Sequence, residues 1–155
     1  MKDIVEKSGA VRQATYADIP LLVELAQPIL SLDDPSRDVS DIASHFARHI
    51  ERVGYVVLVS EQSFAIGINS QAMTGDDTTV AAFTLAWAEN GAWPDLVWAA
   101  EAWAESMGAR ELRFGILSDI TKAKEEISAL GFGLQSVFMS RPVEYGATTA
   151  KDIEQ

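Results

Sequence analysis

Thr78-Thr-Val-Ala-Ala-Phe-Thr-Leu-Ala-Trp87, followed by Ala88-Glu-Asn-Gly-Ala-Trp93 and Pro94, decides the fold. The first run is apolar at both alternating parities, which predicts a strand inside a sheet with a covering layer on each face. Ala88 to Trp93 predicts a turn, and Pro94 suits the first position of a helix running to about Met107, closed by Gly108. On that helix Leu96, Ala100, Trp103 and Met107 share one face, Val97 and Ala104 widen it, and Asp95, Glu101 and Glu105 face solvent.

Upstream, Tyr55 to Ser60 and Phe64 to Asn69 are β-rich runs three residues apart and predict an antiparallel hairpin beside the central strand. Before them lie a short strand at residues 10–14 and a helix from Asp18 to Leu30, containing Pro20 and Pro28. A polar loop over 31–37 precedes a second helix, whose stripe is Val39, Ile42, Phe46, Ile50 and Val53. Downstream, Glu111 to Leu117 predicts a strand, Ser118 to Leu130 a helix, and Leu134 to Arg141 a last strand. Residues 10–142 thus form one expected domain, with 143–155 a polar C-terminal tail or docking arm.

The chain has 155 residues and no cysteine, which excludes disulfides, thiolate nucleophiles and cysteine-ligated metals. Its 12 Lys+Arg stand against 23 Asp+Glu, a formal charge of -11, so neither nucleic acid nor an anionic membrane is the expected partner. No stretch approaches the roughly 18 apolar residues of a membrane span, and a cytoplasmic protein is expected.

The order β-α-α-β-β-β-α-β-α-β resembles the Gcn5-related N-acetyltransferases (GNAT). Val11-Arg-Gln-Ala-Thr-Tyr-Ala-Asp-Ile19 is similar to that family's opening strand and helix entry. Ala102 to Leu112 is similar to the end of its central helix and the following strand, and Ala129-Leu-Gly-Phe132 to its C-terminal corner. The resemblance implies an α/β fold, a GNAT-like mixed and mainly antiparallel sheet with helices on both faces.

It also implies a pyrophosphate cradle at the turn after the central strand, where backbone amides meet the cofactor at a helix N-terminus. Here the Arg or Gln expected first falls on Ala88, the first Gly on Glu89, the middle Gly on Gly91 and the last Gly or Ala on Trp93. Glu89 would repel a pyrophosphate, Trp93 would crowd it, and Pro94 has no amide. No basic residue lies between Val80 and Ala109. The expectation is therefore no bound cofactor; if acetyl-coenzyme A does bind, Asn90, Gly91 and Ala92 supply the amides. The Tyr that many members use as general acid aligns with Ile127 and an upstream Asn with Ile120, and Thr84 is the only polar side chain from Val80 to Trp87, so no catalytic residue is assigned.

Other constellations weigh less. His45 and His49, with Asp41 a turn earlier, share a helix face but fall short of a metal site, and Asp33-Asp34 and Asp76-Asp77 lack the ladder of a calcium loop. Of the clustered Trp87, Trp93, Trp98 and Trp103, Trp93 beside Gly91 is expected to be exposed as an interface anchor. The expected function is a GNAT-like binding or assembly module with a protein partner or a second copy of itself. A resemblance to small GNAT-like proteins of short-tailed bacteriophages would place it in a virion. The alternatives are an acetyl-coenzyme A-dependent N-acetyltransferase acting on a small or protein amine, and an acidic inhibitor or mimic.

Overall fold

A computed structural model describes residues 10–33, 38–71, 79–116, 120–133 and 141. The described elements are β1 (Arg12–Gln13), a 3-10 turn (Tyr16–Asp18), α1 (Ile19–Asp33), α2 (Val39–His49), β2 (Tyr55–Ser60), β3 (Ser63–Gln71), β4 (Thr79–Ala88), α3 (Trp93–Ser106), β5 (Glu111–Ile116) and α4 (Ile120–Ser128). The expected last strand, apart from Arg141, the tail over 143–155, the Asp76-Asp77 turn and Asp34 lie outside the described residues.

The strands form one five-stranded sheet in the order β1-β2-β3-β4-β5. The first four pair antiparallel and β4 pairs with β5 in parallel. The sheet is therefore mixed and mainly antiparallel, and α3 supplies the crossover that a parallel β4–β5 pair requires. β4 is interior, as its apolar run predicts, although β3 holds the middle of the described sheet.

Two apolar layers enclose the sheet. Leu22, Ala26, Ile42, Phe46 and Ile50 of the α1/α2 region pack with Val57, Val59, Phe64 and Ile66 on one face. Val56, Leu58, Ala65, Ala81 and Phe83 pack with Leu96, Ala100 and Trp103 of α3 and Ala123 and Ile127 of α4 on the other. In β4 the alternation slips. Ala81 and Phe83 face α3, yet so do Ala86 and Ala88, while Leu85 and Trp87 pack against the α1/α2 layer.

The cause is a β-bulge. Ile66 pairs with Leu85 and Gly67 with Phe83, which leaves Thr84 as the extra residue. Opposite it on β5, Gly115 is close enough that a Cβ would sit 3.0 Å from the Thr84 carbonyl oxygen. Thr84 and Gly115 are both exposed. The expected cover on both faces of this strand thus holds at Leu85 and Trp87 but is missing at the bulge.

A clasp fixes the chain entry. Arg12 Nη1 and Nη2 donate to the Asp18 carboxylate at 2.7 and 2.6 Å, and the Thr15 amide donates to Asp18 Oδ2 at 2.8 Å. These bonds tie β1 to the start of α1, and hydrogen bonding from Arg12 holds the buried Asp18 carboxyl well below the usual carboxylate range.

Candidate functional site

The turn after β4 is closed by backbone hydrogen bonds. The Glu89 amide donates to the Gln62 carbonyl at 2.9 Å, which anchors the end of β4 to the β2–β3 hairpin. The Ala92 amide donates to the Glu89 carbonyl at 2.9 Å and closes a four-residue turn. Gly91, third in that turn, has φ +87°, a value that disfavours any residue with a Cβ although the space beside it is open. Helix α3 then starts without a side-chain cap, because Ala92 has no oxygen to offer, and Pro94 removes one first-turn amide.

Such a start leaves amide hydrogens available to an anion, and the chain supplies one itself. The Gly91 amide donates to Glu126 Oε1 of α4 at 2.9 Å. The carboxylate stands beside the positive end of the α3 dipole, where negative charge is favoured. Helices α3 and α4 share one core through Leu96, Ala123 and Ile127, so Glu126 is delivered to the turn by the packing beneath it.

Of the three expected amide donors, the structure therefore engages two within the protein: Gly91 with Glu126, and Ala92 with Glu89. Asn90 is exposed at the turn's tip. A pyrophosphate reaching this turn would have to displace one carboxylate and approach Glu89, also exposed, with no basic residue anywhere from Val80 to Ala109. Lys124 lies two residues from Glu126, a spacing that does not share a helix face, whereas Lys122 lies four before it, a spacing that does. In this arrangement two of the three amides are engaged by oxygens of the chain itself.

Trp93 requires a correction. It is 1% exposed and belongs to the α3/α4 core, so it is neither the expected exposed anchor nor an obstacle outside the turn. The residue after a glycine turn looked free to point outward, but α3 begins at Trp93 and its first position aims the indole under the helix. The exposed tryptophan is Trp98, at 59%. Ile127, which the resemblance aligns with the general acid, is buried in the same core.

The histidine stripe of α2 forms a stack. His49 lies 4.9 Å from Tyr55 with rings nearly parallel, His45 meets His49 edge-on at 5.1 Å, and the Arg52 guanidinium sits 4.3 Å over Tyr55. His49 Nδ1 is buried without a hydrogen-bond partner. Burial, and then the charges of His45, Arg52 and Arg48, push the His49 pKa down. Among the described residues no group of three or more His, Asp or Glu could hold a metal ion, and no helix is long and apolar enough to cross a membrane.

No protein-family model matches the sequence, and neither does any curated protein. Solved structures do match. An aminoglycoside N-acetyltransferase AAC(6')-Iy in complex with CoA superposes with a TM-score of 0.67 at 15% identity, over 85% of this chain and 93% of its own. The aminoglycoside 6'-N-acetyltransferase AAC(6')-IG from Acinetobacter haemolyticus gives 0.63 at 15% identity over 86% and 99%. A transcriptional regulator from Bacillus halodurans gives 0.67 at 17% identity over 87% and 99%. At such identities the likeness speaks to the backbone and not to the chemistry. The chain has the fold of the GNAT acetyltransferases.

Proposed function

We propose that this chain uses the GNAT fold as a protein-binding or assembly module and does not hold acetyl-coenzyme A at the turn after β4. The observation that carries the reading is the 2.9 Å bond from the Gly91 amide to Glu126, a carboxylate of the chain in the place where a ligand's anion would sit. The uncapped start at Ala92, Pro94 in the first turn and the absence of basic residues from Val80 to Ala109 support it. So does the missing acid–base pair: Ile127 is core, and Thr84 is the one polar side chain from Val80 to Trp87. The virion setting rests on the sequence resemblance alone.

A second reading, an N-acetyltransferase acting on a small or protein amine, is favoured by the turn itself. Gly91 still opens a helix N-terminus, and the fold neighbours include an acetyltransferase in complex with CoA. Under that reading Glu126 must leave the turn before the cofactor enters. Incubation with acetyl-coenzyme A and a panel of aminoglycosides, polyamines and lysine peptides, followed by thiol release, separates the two. The module reading expects none above background; sustained, protein-dependent release for any amine overturns it.

A further inference from the structure

We infer that the outward face of α3, centred on Trp98, docks a lysine- or arginine-bearing segment of a partner protein. The inference rests on the reading of the chain as a binding module and supplies the chemistry of its partner. Three of the four tryptophans lie on α3, and they divide sharply: Trp93 and Trp103 are buried, whereas Trp98 is 59% exposed.

The surroundings of Trp98 set its use apart from that of a lone surface apolar residue. Asp95 is three residues before it, Glu101 three after and Glu105 seven after, spacings that place all three on the face Trp98 centres. Ala102, four residues on, leaves the indole unobstructed on that side. All four are exposed. Helix α3 contains no Lys, Arg or His. Among the described residues the ion pairs are Arg12–Asp18 and Arg113–Glu111, and neither includes Asp95, Glu101 or Glu105.

An exposed indole bordered by three exposed carboxylates is complementary to an ammonium or guanidinium group. The ring face attracts the cation, and the carboxylates add charge-assisted hydrogen bonds and steer its approach. The same charges exclude the other occupants. A second copy docking through this face would set carboxylates against carboxylates, and nucleic acid or an anionic lipid surface is repelled by them and by the net charge of -11. What remains is a cationic segment of another protein, with Trp98 as its central anchor.

The probe is a fluorescein-labelled peptide alternating arginine, lysine and glycine, followed by anisotropy on the full chain, with a glutamate–glycine peptide as control. Binding of the basic peptide is expected, weakened roughly tenfold or more by Trp98→Ala and several-fold by the pair Glu101→Gln and Glu105→Gln. Tyr16→Ala, which removes an exposed aromatic elsewhere, should leave it unchanged. Thermal melts establish that each variant is folded. No binding to the intact chain overturns the inference, and so does equal binding by the Trp98→Ala and intact chains, since net charge alone would then account for the affinity. Acetyl-coenzyme A titration reads the turn separately: tight cofactor binding would overturn the module reading and leave the Trp98 result standing on its own.

Discussion

Trp93→Ala separates a core residue from a recognition residue. Trp93 is 1% exposed within a cluster that includes Ala88, Leu96, Ala100, Ala123 and Ile127, which joins α3, α4 and β4. Removing the indole deletes on the order of 200 Å² of buried surface, worth about 5 kcal/mol at about 25 cal/mol per Å², of which the alanine methyl recovers a part. Large-to-small aromatic substitutions in cores cost about 3–5 kcal/mol, so a loss of about 4 kcal/mol is expected. For a domain of this length that lowers Tm by roughly 8–16 °C. Urea unfolding followed by far-ultraviolet circular dichroism measures it without relying on tryptophan emission, and the m-value should hold if the native state stays compact. Trp98→Ala in the same assay should stay within about 0.5 kcal/mol of the parent, as exposed positions do. A Trp93→Ala loss below about 1 kcal/mol would refute the packing assigned to this residue.

Gly67→Ala places a Cβ 2.6 Å from the Phe83 ring, which cannot retreat because it stacks on Phe114 at 5.2 Å and meets Trp103 edge-on at 5.7 Å. A loss of about 1–3 kcal/mol in urea unfolding is expected, against none for Gly133→Ala, where the space is open; equal stability of the two variants would refute it. The depressed pKa of His49 means the unfolded chain binds its proton first, so stability is full above the ordinary imidazole value of about 6.5 and falls as pH drops below it. Because burial, and then the charges of His45, Arg52 and Arg48, disfavour the protonated ring, His49→Phe should reduce that loss while keeping the ring stacked on Tyr55. Identical pH dependence in the two chains would contradict it.

The interior strand, the hairpin and the α3 boundaries were legible because each rests on local pattern: a two-faced apolar run, two β-rich runs close together, and proline and glycine at the helix ends. The bulge was not, because an apolar run on both faces conceals a parity slip, and Thr84 stands out only once Leu85 is seen opposite Ile66. Arg12 and Asp18 both stand in the opening motif, but their pairing needs the turn that brings them together. Trp98 could have been found: its spacing from Asp95, Glu101 and Glu105 already put it in the polar arc. The bond from Gly91 to Glu126 could not, since the residues are 35 apart in sequence and meet only through the packing of α3 on α4.

The Glu126 carboxylate bonds the turn that, on the proposed reading, no longer binds a cofactor. Calorimetric titration of acetyl-coenzyme A into the intact chain and into Glu126→Gln and Glu89→Arg variants tests it most directly. No saturable heat is predicted for the intact chain up to millimolar cofactor, with the substitutions, which remove negative charge from the turn, strengthening whatever weak binding exists. A micromolar Kd for the intact chain would contradict the account.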